Sequence, residues 1–392
     1  MDFSSEPELD QIENAVAELC RGFDDDYWLD HDERRAFPWA FYNAFAEAGW
    51  IGIAMPERYG GSGLGVRHAG VLLRAVAASG GAMNAASALH LAIFGLEPVV
   101  RHGSEELRER VLPAAARGEL HVSFGVTEDD AGTDTSRIRT FARPTDTGFV
   151  VDGKKVWNTK ALQAQKILLL ARTTPRDACA RPLDGMTLFL ADLDPAHCEI
   201  REIRKLGRNA VNSCEVFLRE LPVRREDVVG EVGRGFQCLL DGLNPERILI
   251  AAEAIGIGRR ALEVAVAYAR ERVVFQRPIG MNQAIAHPLA DSHSELEAAD
   301  LLWQKAAWAY DSGSSSVHAV GGLANAAKLR AADASFRACD RALQTLGGFG
   351  YAKSFHVERY WREARLMRLA PVSQEMALNY LAEKVLRLPR SY

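Results

Sequence analysis

Cysteine is scarce in this chain of 392 residues, and its six cysteines are scattered without a CxxC motif or a metal-ligand spacing to histidine. We therefore expect neither a disulfide framework nor a metal site, and the pattern fits a reducing compartment. A basic excess is also absent, because 47 basic residues stand against 52 acidic ones and give a formal net charge of −5. This balance excludes the phosphate neutralisation that nucleic-acid binding requires. No run approaches 18 uninterrupted apolar residues, so no membrane-spanning helix is predicted.

The N-terminal segment also lacks the features of a targeting sequence. It begins with an acidic, polar stretch and has neither a basic start followed by an apolar core nor an Arg-rich amphipathic helix. Hydrophobic residues make up 48 % and charged residues 25 % of the chain, which is the composition of an ordinary globular protein. We predict a cytoplasmic protein without nucleic-acid or membrane partners that is large enough to bury a cofactor.

The hydrophobic pattern changes twice and divides the chain into three domains, residues 1–120, 121–234 and 235–392. In the first domain, Leu9, Ile12 and Val16 recur at intervals of three and four residues, as on the buried face of a helix. Short apolar runs without intervening helices follow, which favours a β-sandwich or barrel, and Asp152-Gly153 predicts a hairpin turn. The helical period then returns.

The last domain has apolar stripes over residues 248–272, 284–312, 317–347 and 373–386. Four helices of this kind suit an up-down bundle. The predicted fold class is α+β and mainly α, with an N-terminal α-helical domain, a middle β-sandwich or barrel domain and a C-terminal four-helix-bundle domain.

Residues 256–261 have the GxGxxA form of a dinucleotide-binding loop. That function needs a strand immediately before the glycines, whereas residues 248–255 continue an alanine-rich helix. We therefore interpret the glycines as small residues at a close helix crossing, and we expect no nicotinamide-binding Rossmann domain.

Two segments of the middle domain carry groups that suit a planar heterocycle. Residues 124–134 place hydroxyls, a glycine and backbone N–H groups in a tight turn, although an acidic surface turn has the same pattern. Trp157 and Thr159 are two residues apart and so lie on one strand face, where one can cover a ring and the other can bond its edge. A tryptophan at this position also suits the hydrophobic core.

Several separated motifs, in order along nearly the whole chain, resemble those of the acyl-CoA dehydrogenase family. Residues 127–134 are similar to its TEPGAGSD flavin-binding signature, and Trp157-Asn158-Thr159 to its W-x-T strand. Residues 268–279 resemble the YARxRxxFGxPI segment, residues 344–351 resemble QxxGGxGY, and residues 357–365 resemble VERxxRDAR. The three-part architecture of the family agrees with the order of domains predicted here.

The resemblance implies FAD as the cofactor, with its ring held by the middle domain. Its ADP end would be held across a subunit boundary in a homotetramer that is a dimer of dimers. The implied FAD-binding residues are Val126, Thr127, Gly132, Thr133, Trp157, Thr159, Arg272, Phe275, Gln283, Gln344, Gly347, Gly348, Ser373 and Glu375. The residues implied to bind substrate are Thr133, Asn244 and Arg247.

The implied reaction oxidises an acyl-CoA to a trans-2-enoyl-CoA, for which a carboxylate in a dry site must remove the α-proton. The position of the usual family glutamate holds Pro371, which has no carboxylate. Glu246, immediately before an arginine, resembles the base of the isovaleryl and long-chain branches, and we predict that it is the base here. A glutamate next to Pro245 in the first turn of a helix would also stabilise that helix alone. Glu375 is a weaker candidate.

Three functions remain open from the sequence. The first is an FAD-dependent acyl-CoA dehydrogenase that passes its electrons to an electron-transfer flavoprotein. The second is a related flavoenzyme, such as an oxidase or a dehydrogenase of an unusual acyl or carrier-protein thioester, and Pro371 motivates it. The third is a non-catalytic FAD-binding homologue, which the presence of Glu246 disfavours.

Overall fold

The computed structural model describes residues 6–390, and its first domain is helical, as predicted. The helices are α1 (Pro7–Cys20), α2 (Asp25–Arg34), α3 (Trp39–Glu47), α4 (Val66–Val76), α5 (Ala82–Phe94), α6 (Glu97–His102) and α7 (Glu105–Ala116). The buried face of α1 contains Leu9, Ile12, Val16 and Cys20. The predicted spacing of three and four residues is therefore the spacing of the face that packs into the core.

The stretch Val66–His102 is long and apolar enough, by length and composition, to cross a membrane. However, 83 % of its most apolar 18-residue window is buried inside the protein. A kink at Ala77–Gly81, where Gly80 has a φ of 104°, separates α4 from α5. The apolar side chains of the stretch Val66–His102 are therefore those of core helices that pack against the rest of the fold.

The middle domain is a single eight-stranded sheet. Its strands are β1 (Val122–Gly125), β2 (Phe141–Pro144), β3 (Gly148–Thr159), β4 (Lys166–Arg172), β5 (Met186–Asp192), β6 (Cys198–Glu202), β7 (Ser213–Arg224) and β8 (Val228–Val229). They follow the order β6-β7-β3-β2-β4-β5-β8, and β1 pairs in parallel with β4. The predicted all-β character of this domain is confirmed.

The predicted hairpin at Asp152-Gly153 is wrong, because both residues lie within the continuous strand β3. Gly153 has a φ of 155° and lies where the register between β3 and β7 shifts. A Cβ on this glycine would lie 2.5 Å from the hydroxyl oxygen of Thr140. The glycine thus permits a bulge and a close approach of backbone, rather than a turn.

Helices dominate the last domain. It contains α8 (Gly235–Glu271), a hairpin of β9 (Val273–Val274) and β10 (Arg277–Pro278), α9 (Gln283–Asp311), α10 (Val317–Leu346), α11 (Val357–Leu366) and α12 (Gln374–Tyr380). The long helices α8, α9 and α10 pack against one another, and α11 and α12 pack against α10. This arrangement gives the predicted bundle.

Helix α8 begins at Gly235 and not at residue 248, because Cys238 and Leu239 already supply buried apolar positions. Pro245 and Glu246 therefore lie inside the helix, so the expectation that they form its first turn is wrong. The role of Glu246 as a helix-stabilising residue of a first turn falls with it, since the dipole effect is confined to the terminal turn.

Close helix crossings join the N-terminal and C-terminal domains in one core. A Cβ on Gly256 of α8 would lie 2.3 Å from the Arg74 carbonyl oxygen of α4, and a Cβ on Gly258 would lie 2.7 Å from Leu296 Cδ2 of α9. The interpretation of these glycines as helix-packing residues is confirmed. Gly256 brings α8 close to α4 and to the kink that precedes α5, and Gly258 brings it close to α9.

Candidate active site

A cleft between α5, α6 and α8 contains the predicted base. Eight of its ten lining residues are apolar or glycine: Leu91, Phe94, Gly95, Pro98, Phe124, Leu239, Gly242 and Leu243. The other two are His90 of α5 and Glu246 of α8. An acyl chain would contact the apolar walls, while the carboxylate is the group that can accept a proton.

Burial and the neighbouring charges have opposing effects on the pKa of Glu246. Burial raises the pKa of Glu246, because a low-dielectric surrounding disfavours the charged carboxylate, and the positive charges of His90 and Arg247 oppose this rise. Burial lowers the pKa of Arg247, and the Glu246 carboxylate opposes that change. Arg247 Nη1 donates to Asn244 Oδ1 at 3.1 Å, so the two predicted substrate-binding residues of α8 contact each other beside the base.

The loop that carries Pro371 is linked to the same part of α8. Lys328 of α10 donates a hydrogen bond to the Val372 carbonyl at 2.6 Å. Burial, and then the charge of Arg247, lower the pKa of Lys328 to about 8. Val372 has a φ of 40°, an uncommon conformation for a β-branched residue. Lys328 thus lies near both Val372, which follows Pro371, and Arg247, which follows Glu246.

Ser373 and Glu375, both implied FAD ligands, begin helix α12. The Ser373 hydroxyl caps the helix and accepts from the Met376 N–H at 3.4 Å. Glu375 is exposed in the first turn, where hydrogen bonds at the helix start lower its pKa. A solvated carboxylate with a lowered pKa is a weak base, so the geometry favours Glu246 over Glu375 for proton abstraction.

A buried ion pair fixes the turn that follows β1. Lys155 Nζ lies 2.8 Å from Glu128 Oε1 and donates to the Val126 carbonyl at 3.1 Å. Glu128 also accepts from the N–H groups of Arg139 and Thr140 at 2.6 and 3.0 Å. Burial lowers the pKa of Lys155 to about 8, although the Glu128 carboxylate opposes the change. These buried hydrogen bonds hold the turn after β1 in one conformation.

The outer side of this turn carries hydrogen-bond donors. None of the hydrogen bonds found among residues 6–390 uses the Thr127 hydroxyl or the N–H groups of Gly132 and Thr133. Gly132 and Thr133 are exposed, and a Cβ on Gly132 would meet no atom within 4 Å. A ligand that presents acceptor atoms to this turn would therefore find open donors on a fixed backbone.

Trp157 and Thr159 lie on the open side of β3, with the buried Asn158 between them. Trp157 has a φ of 62° at a second shift of register between β3 and β7, and it is 57 % exposed. Asn158 is turned inward and donates to the Cys214 carbonyl at 3.1 Å. The alternative that Trp157 belongs to the hydrophobic core is wrong, because the bulge turns its indole outward.

The residues implied at the ADP end of FAD lie at one end of the C-terminal bundle. All six are exposed: Arg272, Phe275, Gln283, Gln344, Gly347 and Gly348. The Arg272 guanidinium lies 5.9 Å from the ring centroid of Phe349, which connects the end of α8 with the end of α10. Within residues 6–390, no hydrogen bond, ion pair or ring contact joins this group to Trp157, Thr159 or the turn after β1.

Four ionisable residues next to these sites were not predicted: His90, Lys155 and Glu253, which are buried, and Arg208, which is half-buried. His90 and Glu253 are single polar residues inside apolar runs, at 88–92 and 251–255, and that signal could have identified them. Arg208 gives no such local signal. It lies between β6 and β7, where Nη2 donates to Ser213 Oγ at 2.6 Å and contacts Thr159 Oγ1 at 3.4 Å. Burial lowers the pKa of Arg208 to about 10.

Comparisons with known proteins agree over the whole chain. Models of the N-terminal, middle and C-terminal domains of acyl-CoA dehydrogenases match residues 6–119, 123–221 and 233–386. The chain is 35 % identical, over 391 residues, to acyl-CoA dehydrogenase FadE12 of Mycobacterium tuberculosis (strain ATCC 25618 / H37Rv), with 100 % of this chain and 99 % of the relative covered.

Solved structures extend this likeness. The butyryl-CoA dehydrogenase from Megasphaera elsdenii superposes with a TM-score of 0.92 and 26 % identity, covering 99 % of this chain and 100 % of that one. The prolyl acyl carrier protein oxidase AnaB superposes with a TM-score of 0.91 and 25 % identity, covering 97 % of this chain and 100 % of that one. The same fold is thus found in proteins named as a dehydrogenase and as an oxidase.

Proposed function

The chain belongs to the acyl-CoA dehydrogenase family of FAD-dependent oxidoreductases, and we propose that it forms a trans-2-enoyl-CoA with Glu246 as the base. The observation that carries this proposal is the position of Glu246 in an apolar cleft, where burial raises its pKa. A carboxylate with a raised pKa is a stronger base than a solvated one and suits the removal of a weakly acidic α-proton.

The middle domain carries groups that fit a flavin. The exposed indole of Trp157 offers an apolar face to a planar ring. The Thr127 hydroxyl and the open N–H groups of Gly132 and Thr133 are donors for the polar edge of such a ring. Arg272 has a planar, permanently charged guanidinium that suits pyrophosphate. FAD held by these residues supplies the acceptor for the hydride that leaves the β-carbon.

Glu246 and its neighbours perform the proton part of the reaction. The α-proton passes to a carboxylate oxygen of Glu246, and the electron pair of the broken C–H bond becomes the new carbon–carbon double bond. The charge of Arg247 stabilises the carboxylate form of the half-buried Glu246, because it opposes the effect of burial on the pKa of that residue. The apolar lining limits access of water, which would otherwise solvate the carboxylate and weaken it as a base.

Surface properties support a homotetramer, built as a dimer of dimers, as the functional form. Phe275 is 93 % exposed at the tip of the β9-β10 hairpin. A second groove of about 390 Å³ between α8 and α9 is lined mostly by apolar residues, among them Leu262, Val266, Ala269 and Leu289. Exposed apolar surface of this kind marks an interface. We also propose an electron-transfer flavoprotein as the electron acceptor and the cytoplasm as the location.

A second candidate is an oxidase, or a dehydrogenase of an unusual acyl or carrier-protein thioester. Pro371, in place of the usual glutamate, and the likeness to a carrier-protein oxidase favour it. Both candidates share Glu246 as the base and differ in what reoxidises the flavin or what carries the acyl group. A non-catalytic homologue would have no use for a carboxylate in the cleft.

Anaerobic reduction of the FAD-loaded protein by a panel of acyl-CoA thioesters tests the proposal. Bleaching of the flavin by at least one acyl-CoA, followed by slow reoxidation in air, is the result expected of a dehydrogenase. Rapid reoxidation in air would establish the oxidase instead. A protein that binds FAD but is bleached by no thioester in a broad panel of acyl-CoA and acyl-carrier-protein substrates would overturn the proposed function.

A further inference from the structure

A buried histidine–glutamate pair lies beside the proposed base. His90 Nδ1 of α5 lies 2.7 Å from Glu253 Oε1 of α8, and the two side chains are 9 % and 0 % exposed. Glu253 follows Glu246 by seven residues, which in an α-helix of 3.6 residues per turn places both carboxylates on one face. His90 also lines the cleft that contains Glu246. The imidazole of His90 thus contacts a buried carboxylate and also forms part of the wall of the cleft.

The hydrogen bond to Glu253 determines which nitrogen of His90 titrates. An ionised carboxylate only accepts hydrogen bonds, so beside the Glu253 carboxylate Nδ1 carries a hydrogen and donates it in the hydrogen bond to Oε1. The charge of the imidazole is therefore gained or lost at Nε2, the nitrogen that Glu253 does not occupy. Glu253 Oε2 has no hydrogen-bond partner among the described residues, although the side chain is fully buried. A buried carboxylate with so few partners is stabilised by a full positive charge on its neighbour.

Charges on the elements packed around His90 support a cation. Burial lowers the pKa of His90, but the charge and hydrogen bond of Glu253, together with the charge of Glu246, outweigh it, so that the pKa is raised above 6.5. Arg208, between β6 and β7, opposes this rise. In return, the charge of His90 lowers the pKa of Glu246, as does that of Arg247, against the effects of burial and of Glu253.

We propose that His90, fixed as a cation by Glu253, is a positioning residue that keeps the Glu246 carboxylate ionised in its dry cleft before substrate binds. The proposal rests on the proposed function in one respect, which is that Glu246 is the base. Without the His90 cation, Glu246 and Glu253 on one face of α8 would have Arg247 and Arg208 as their positive neighbours. The pKa of Glu246 would then be higher, so that Glu246 would take up a proton at higher pH.

Histidine titration in the FAD-loaded protein tests the first half of this proposal without any substrate. In protein labelled with ¹³C-histidine, the His90 signal is the one that is lost in His90→Gln. We expect it to titrate above the ordinary value of about 6.5. Glu253→Gln, which keeps the shape of the side chain, should lower that midpoint by at least about one unit, the smaller end of the effect of an adjacent opposite charge. The matched control is Glu263→Gln, an exposed change on the same helix, which should leave the midpoint in place.

Single-turnover flavin reduction across a range of pH tests the second half. Glu246 accepts the α-proton only as the carboxylate, so the rate of flavin reduction rises with pH through the pKa of Glu246. Loss of the His90 cation moves this acidic limb of the pH–rate profile to higher pH. His90→Gln should reduce flavin about tenfold more slowly on the acidic side and approach the wild-type rate on the alkaline side, as expected for a shift of one unit. Glu253→Gln should not slow the acidic side, because it also removes the carboxylate charge that adds to burial in raising the pKa of Glu246. A merely structural role would lower the rate equally at every pH.

Three outcomes would overturn the inference: a His90 midpoint at or below the ordinary value, a midpoint insensitive to Glu253→Gln, or an unshifted acidic limb in His90→Gln. If His90→Gln does not fold, His90→Asn takes its place in both measurements. A wild-type protein that no thioester reduces would overturn the proposed function, and with it the role of His90 toward a base. Normal reduction with unshifted pH profiles would overturn only the role of His90.

Discussion

Replacement of Glu246 by glutamine should strongly slow proton abstraction while leaving the cleft intact. Glutamine keeps the size and planar shape of the side chain but does not accept the α-proton. Glu246 is the one carboxylate among the ten residues that line the cleft, so no other lining residue can take its place. A positioned general base contributes about 10²–10⁴-fold, so flavin reduction should slow by about two to four orders of magnitude. At about 1.36 kcal/mol per tenfold change, the barrier would rise by about 2.7–5.4 kcal/mol.

Anaerobic stopped flow with FAD-loaded enzyme measures this step, because it follows flavin reduction without reoxidation. The wild-type rate should rise with pH through the pKa of Glu246, since only the carboxylate accepts a proton. Burial places that pKa above the ordinary glutamate value, so the acidic limb should lie at higher pH than for a solvated base. Glu246→Gln should lose the limb, whereas the Kd for acyl-CoA should be little changed, because the amide occupies the same space.

Glu375→Gln is the matched comparison, since it makes the same chemical change at an exposed carboxylate on α12. It should reduce its flavin at close to the wild-type rate, with weaker retention of FAD as its main effect. A Glu246→Gln enzyme that reduces its flavin as fast as the wild type would refute the assignment of the base. A large loss of rate in Glu375→Gln alone would move the base to α12.

Three further outcomes follow from the same structure. Trp157→Ala should weaken FAD binding with little change in unfolding midpoint, because the indole is 57 % exposed, and flavin fluorescence on dilution measures it. Lys155→Met should lower the free energy of unfolding by about 3–5 kcal/mol in urea titrations, because it leaves the buried Glu128 carboxylate without its cation; a loss below 1 kcal/mol would contradict this. Sedimentation of the FAD-loaded protein should give a tetramer, and a stable monomer that keeps FAD would refute the shared cofactor site.

The order of domains could be predicted because hydrophobic periodicity is a local property of the sequence. Residues of α1 repeat at intervals of three and four, and the apolar runs of the middle domain are short and bounded by turn-forming residues. Gly256 was assigned to a helix crossing on the same basis, since a helical pattern continues through it. The close approach of the Arg74 carbonyl shows why a side chain larger than glycine does not fit there.

The two wrong predictions arose where tertiary structure overrides a local signal. Pro245 is typical of a first helical turn, yet α8 continues through it because buried residues on the N-terminal side extend the apolar face. Asp152-Gly153 is typical of a hairpin turn, yet β7 pairs with β3 on both sides of it, so that the glycine forms a bulge. Sequence alone does not state which partner strand or helix is present, and that partner decided both cases.

The ion pairs of the site could not be predicted because their partners are far apart in the chain. Lys155 and Glu128 are 27 residues apart, and His90 and Glu253 are 163 residues apart. A lone charged residue in an apolar run indicates burial, but the identity of its partner depends on which helices and strands the fold brings together. The sequence therefore locates such a residue without stating what neutralises it.

The absence of a carboxylate at Pro371 and its presence at Glu246 are related features of one site. The hydrogen bond from Lys328 to the Val372 carbonyl holds the loop that contains Pro371. Burial, and then the charge of Arg247, the neighbour of Glu246, lower the pKa of Lys328. A glutamate at position 371 would bring a second carboxylate toward this place, and two carboxylates that share a site raise the pKa of one of them. Proline avoids that competition. It leaves Glu246, the proposed base, in the interior of a 37-residue helix, where packing holds a side chain in place more firmly than a loop does.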